Sequence, residues 1–282
     1  MGTVVTIEVI RSASGLEDAV ETALGWFQEV EERCSRFRTD SELMRACGRT
    51  GKPVQLSPLL FEAVRFALDV AEESGGAFDP TVGRGMQQLG IDKEHTSGKV
   101  VRSGSPVAGV SYRDVELDHD KGTMRLHQPM TLDLGAVAKG LAVDMATREL
   151  LPFRNFSIDA GGDLYLGGRN HEGRPWSVGI RHPRQDGGII DSLEVSNTAV
   201  CTSGDYERGQ HILDPRTGKP ADCAASVTVV AEGAMLADAL ATAAFVMGPQ
   251  EAIPFLERMG VEALYITPDL KGYETGGLRS AA

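Results

Sequence analysis

Residues 233–248 read GAMLADALATAAFVMG, and the rest of the chain has to be arranged around this stretch. Ala, Leu, Met, Val and Phe occupy every side of it. The spacing predicts a helix of about four turns, buried all round rather than lying on a surface. The two polar side chains in its middle, Asp238 and Thr242, stand four residues apart and share a face, one turn above the other. A carboxylate in so apolar a setting has to be paired, protonated or bound to a metal. Two oxygen ligands stacked on a buried helix suit a hard cation such as Mg²⁺, which keeps further positions for water and phosphate. A plainer alternative has Asp238 favouring the N-terminal half of the helix by its charge and Thr242 bonding back to a carbonyl.

The chain has 282 residues, enough for one large domain or two ordinary ones, and its 41% hydrophobic and 24% charged content is that of a globular protein. A net charge of −12 argues against a general nucleic-acid binder or a partner of anionic membrane surfaces, but allows an anionic ligand in a local pocket. No apolar run reaches the length needed to span a bilayer. The cysteines, Cys34, Cys47, Cys201 and Cys223, lack metal-ligand spacing and are expected to be small, reduced, buried residues. No signal-peptide pattern or lipid-attachment cysteine is read before the first element. The expectation is a cytoplasmic protein, with a trimmed periplasmic or lipid-anchored form as the alternative.

Residues 3–10 alternate like a strand, and residues 16–34 carry helical spacing. A short helix is expected after Asp40 or Ser41, and a longer one over 57–74 with Ser57 as cap and Pro58 at its first position. GGAFDPTVG (75–83) reads as a glycine-punctuated loop, 84–108 gives little signal, and VELD and TMRLH suggest a hairpin. In MTLDLGAVAKGLAVDMATRELL (130–151) a short strand, TLDL, is expected to run through Gly135 into an amphipathic helix. That helix start would offer free N–H groups and Lys139 to a phosphate, although it is not a Walker A loop. FSIDAGGDLYLGG (156–168) reads as a strand broken at Gly161–Gly162, by a bulge or for close approach of a flat ligand. Strands are expected over 176–183 and 192–204. HILDPRTGKP (211–220) is read as a strand end entering a turn, and SVTVVAE as a further strand. A helix over 249–260 and a last strand, ALYIT, close the chain. Strands and helices are mixed rather than alternating, so the fold class is α+β.

These motifs together resemble the ApbE family of FAD:protein FMN transferases. The resemblance is carried by MGT, FRTDSEL, GGAFDPTVG, LDLGAVAKG, DAGGDLYLGG, TSGDYE, HILDPRTGKP and ADALATA, in the family's order from Met1 to about Gly248. It implies a single ApbE-like (T-fold-like) α+β domain over 1–282, with mixed or antiparallel sheets and packed helices, that binds FAD with Mg²⁺. Such enzymes split FAD, release AMP and attach FMN through its phosphate to a Thr or Ser of a target protein; some hydrolyse FAD to FMN and AMP instead. By the resemblance, Asp238, Thr242 and the Ala136 carbonyl are expected as metal ligands. Met1, Phe37, Ala77, Phe78, Asp79, Asp133, Lys139 and Ile212 are expected around FAD. His211 is expected to take the acceptor hydroxyl's proton, with Asp238 the other catalytic residue; the alternative for His211 is a turn histidine bonded to Asp214. The chain departs from the family at Phe37, where many members carry Tyr, and at Ala46 and Cys47, where an Asn is common. The segment between Tyr206 and His211 is also short. These differences bear on transfer against hydrolysis more than on FAD binding. A non-catalytic flavin-binding protein is the remaining alternative. No Ser/Thr-Gly-Ala-Thr acceptor motif is present, so self-flavinylation is not expected.

Overall fold

A computed structural model describes residues 2–278 except 12, 94–97, 99, 102, 103, 106 and 207–210. The chain begins with strand β1 (Val5–Val9), helices α1 (Leu16–Cys34) and α2 (Glu42–Cys47), strand β2 (Val54–Gln55) and helix α3 (Pro58–Glu73). The two capped helices start where their sequence signals lie. Ser41 Oγ accepts from the Met44 N–H, and Ser57 Oγ from the Leu60 N–H, each satisfying a donor the helix cannot. A short helix, α4 (Gly83–Gln88), then forms in a stretch without a periodic signal. The expected hairpin follows as β3 (Val115–Asp118) and β4 (Thr123–Leu126).

Helix α5 (Gly135–Leu150) is present, but the strand expected just before it is not. Only Thr131 makes a bridge, to Val82, while the Asp133 N–H reaches the Pro80 carbonyl at 2.7 Å and the Leu132 N–H reaches Cys47 Sγ at 3.5 Å. Among the described residues no strand lies beside the segment here, so a loop carbonyl and the last side chain of α2 take its donors. Nor is α5 amphipathic, since it packs between α1 on one side and a later helix on the other. Strands β5 (Phe156–Ala160) and β6 (Asp163–Gly167) pair antiparallel, and Gly161–Gly162 is their hairpin turn rather than a bulge. Both turn residues have positive φ, 67° and 94°, which glycine adopts without a Cβ penalty.

After β7 (Trp176–Arg181), the strand expected over 192–204 is two strands, β8 (Ile189–Val195) and β9 (Thr198–Gly204). Asn197, at φ 56°, turns the chain from one sheet into another. Strands β10 (Leu213–Asp214), β11 (Lys219–Pro220) and β12 (Ser226–Ala231) follow, then helices α6 (Ala234–Val246) and α7 (Pro249–Arg258). Strand β13 (Glu262–Ile266) was expected to be the last, but β14 (Gly272–Glu274) pairs beside it.

The main sheet has seven strands in the order β1-β5-β6-β9-β12-β13-β14, every neighbouring pair antiparallel. Its two faces are both covered. Ala199 and Cys201 of β9 and Val227 and Val229 of β12 join the core cluster under the helices. Val200 and Val230 meet Trp176, Ile180 and Leu193 of the β7–β8 ribbon on the other face. Helix α6 lies on β9 and β12 with α5, α7 and α3 around it, which is why its sequence is apolar on every side. Burying Leu240 and Phe245 completely contributes roughly 1.5–3 kcal/mol each. Among the described residues, no helix is long and apolar enough to cross a membrane. The cysteines are free; Cys34, Cys47 and Cys201 are buried, as expected, whereas Cys223 is only half-buried.

The close crossing of α5 and α6 has two causes. A Cβ at Gly140 would overlap the Ala234 backbone, so only glycine lets the helices approach this far. Asp144 of α5 then accepts the first α6 donors, Ala234 N–H at 2.6 Å and Met235 N–H at 3.0 Å. Burial pushes the Asp144 carboxyl above its ordinary range, against the pull of these two hydrogen bonds. A carboxyl raised in the folded state contributes stability that is full at low pH and is lost as pH rises through its folded value. Asp144→Ala removes the cap altogether and should cost about 1–2 kcal/mol. In thermal melts, the wild-type advantage over this variant should shrink as pH rises above the usual carboxylate range. An advantage that grows with pH would contradict this account of the cap.

Candidate functional site

A cleft of about 380 Å³ opens where the start of α5, the middle of α6 and the ends of β6 and β9 meet the loops around residues 36, 79, 91 and 212. Phe37, Phe78, Asp79, Asp133, Ala136, Lys139, His211, Ile212, Asp238 and Thr242 all line it. Ala77 is placed differently: it is 3% exposed and belongs to the core cluster beneath, not to the cleft wall. Met1 lies outside the described residues, as does the whole of the short segment between Tyr206 and His211. Cys47 is buried under Leu132, and its thiol, pushed up to about 11 by burial, is an inert packing group.

The polar centre is built from four elements. Asp238, 6% exposed, projects from α6 toward Lys139, whose Nζ stands 3.5 Å from Asp238 Oδ2. Lys139 also makes an ion pair with Asp163 of β6, which is 1% exposed. Thr242 Oγ1 lies 3.2 Å from Ser203 Oγ of β9, so its hydroxyl is directed across to the sheet. Thr242 therefore has a partner on β9, and the first α6 N–H groups are held by Asp144. Lys139 thus stands between two buried carboxylates, one on β6 and one on α6.

The start of α5 completes the centre. Asp133 Oδ1 accepts the Gly135 N–H at 2.8 Å, and Asp133 Oδ2 accepts from Arg36 Nε at 2.6 Å. This turn puts Ala136 on the cleft wall at the N-terminal end of a sixteen-residue helix, where the helix dipole favours an anion. On the facing loop, Asp79 shapes the backbone. Its Oδ1 accepts from Thr81 N–H at 2.8 Å and Thr81 Oγ1 at 2.7 Å, and its Oδ2 from Tyr112 N–H at 3.1 Å. Burial raises the Asp79 carboxyl above its ordinary range, and those three donors oppose the rise. Gly161 borders the same cleft, and a side chain there would overlap Thr3 Oγ1.

Sequence reasoning missed Asp163, Ser203 and Arg36. Asp163 and Ser203 stood inside quoted motifs, DAGGDLYLGG and TSGDYE, and Arg36 immediately precedes FRTDSEL. Their partners are far away in sequence, so no local spacing marks them. Among the described residues, no group of three or more His, Cys, Asp or Glu side chains is arranged to hold a metal. The donors that could hold a hard cation are the Asp238 carboxylate, the Thr242 hydroxyl and the Ala136 carbonyl, an all-oxygen set with one charge.

The sequence matches the family model described as "ApbE family" over residues 1–265. A protein named FAD:protein FMN transferase in Treponema pallidum is 33% identical, with 99% of this chain and 85% of that one covered. One of the same name in Haemophilus influenzae is 28% identical, covering 88% of this chain and 78% of that protein. Among solved structures, the flavin transferase ApbE from Vibrio cholerae superposes with a TM-score of 0.85 at 28% identity, covering 98% of this chain and 94% of that one. The ApbE protein of Thermotoga maritima gives 0.84 at 30% identity, with the same coverage.

Proposed function

The chain belongs to the ApbE family, and on that premise we propose that it is a Mg²⁺-dependent FAD:protein FMN transferase acting on a Thr or Ser of a target protein. The observation that carries the reading is the meeting of Asp238, Thr242, Ala136, Lys139 and His211 on one cleft. A single domain does this work, a reading supported by the core cluster that runs from Ala23 to Tyr265.

In the proposed reaction the acceptor hydroxyl oxygen attacks the FMN-side phosphorus of FAD. The bond from that phosphorus to the bridging oxygen breaks, and AMP leaves with the bridging oxygen. His211 takes the hydroxyl proton as the new phosphoester forms. Lys139 and the α5 N-terminus face the pyrophosphate, holding attacking and leaving oxygens in line and offsetting charge on the phosphoryl group. Mg²⁺ held by Asp238, Thr242 and the Ala136 carbonyl would neutralise further charge on those oxygens. Phe37, Phe78 and Ile212 supply flat or apolar wall for the flavin, and a phenylalanine at 37 keeps stacking while lacking a phenolic hydrogen bond.

AMP release from FAD and Mg²⁺, followed with and without a flavin-acceptor domain, tests the proposal. Release that depends on the acceptor is expected. Rapid release without acceptor would make the protein a FAD pyrophosphatase. Tight FAD binding with no AMP in either case would leave a flavin-binding protein and overturn the mechanism.

A further inference from the structure

Arg36 is 3% exposed, yet it reaches the cleft and ties three of its walls together. Its Nε donates to Asp133 Oδ2 at 2.6 Å, and its Nη1 donates to the Ile91 carbonyl at 2.9 Å. Its guanidinium carbon lies 4.0 Å from the centroid of the Phe37 ring. Asp133 passes the constraint on, because its other oxygen holds the first N–H of α5 at 2.8 Å.

We propose that Arg36 is a positioning residue for the transfer reaction, locking Asp133 and Phe37 into one rigid wall of the FAD site. The inference rests on reading the cleft as that site. The geometry separates this role from that of a general structural ion pair. Both oxygens of Asp133 are committed, Oδ2 to Arg36 and Oδ1 to the Gly135 N–H, so the carboxylate has one orientation. The guanidinium packs on one face of Phe37 and so fixes the plane of the ring. Arg36 touches none of the reacting groups, and its effect on them runs through these two neighbours. A planar fork does all of this at once: it pairs with a carboxylate, donates to a carbonyl and stacks on a ring. An ammonium keeps the charge but cannot stack and fork together.

The test uses the full chain with Arg36→Lys and Arg36→Gln, reading FAD affinity by flavin fluorescence, KM and kcat by AMP release, and melting temperature. Lysine preserves the counter-charge for Asp133, so the fold should hold. Arg36→Lys is expected to weaken FAD binding and raise KM by about tenfold while kcat stays within about threefold of wild type. Arg36→Gln leaves Asp133 without its cation and should weaken binding further, and melt earlier. FAD affinity in Arg36→Lys equal to that of wild type would overturn the positioning role, whatever happens to the melting temperature. An equal loss in kcat and kcat/KM with unchanged affinity would also overturn it. Wild-type protein that binds no FAD would overturn the reading of the cleft itself, and this inference with it.

Discussion

Asp238→Ala is expected to abolish AMP release from FAD at ordinary Mg²⁺ concentrations, a loss on the order of a thousandfold or more. The residue supplies the only charge in the proposed all-oxygen donor set, since Thr242 and the Ala136 carbonyl are neutral. Without it, divalent cation affinity falls and the pyrophosphate loses its main source of charge neutralisation. The fold should survive the change. Lys139 keeps its ion pair with Asp163, so its ammonium stays compensated. A melting temperature near wild type, beside lost turnover and lost Mg²⁺ dependence, is the expected pattern. Full activity of this variant would remove Asp238 from the metal site.

His211→Ala should lower kcat for acceptor flavinylation by about a hundred- to ten-thousandfold while leaving FAD binding largely intact. The residue lines the cleft beside Ile212, next to the β10–β11 hairpin. In the proposed mechanism it acts on the acceptor's proton rather than on FAD, so affinity and rate should separate. Partial recovery of the rate with added imidazole would fit loss of a base. Unchanged flavinylation kinetics would show that the acceptor hydroxyl is activated elsewhere.

Much of this architecture is legible where the governing interactions are local. Ser41 and Ser57 announce their helices because a cap is satisfied three residues away. The apolar run of α6 foretells a helix enclosed on all sides, with Asp238 and Thr242 as its polar face. The signal fails where satisfaction is non-local. TLDL has strand-like alternation, yet the loop carbonyl of Pro80 decides its backbone. Asp144 looks like one more charge on a helix until its carboxylate is found on donors 90 and 91 residues away. Arg36 meets Asp133 across 97 residues, and Asp163 meets Lys139 only because β6 and α5 are brought together by the fold. The motifs therefore mark the cleft's linings, while the groups that hold those linings in place emerge only in three dimensions.

The central claim is that the cleft transfers FMN to a protein hydroxyl. Its most direct test is the intact mass of an acceptor domain after incubation with this protein, FAD and Mg²⁺. The account predicts a gain of one covalently bound FMN on a single Thr or Ser, absent when the metal is chelated. An acceptor of unchanged mass alongside steady AMP formation would contradict it.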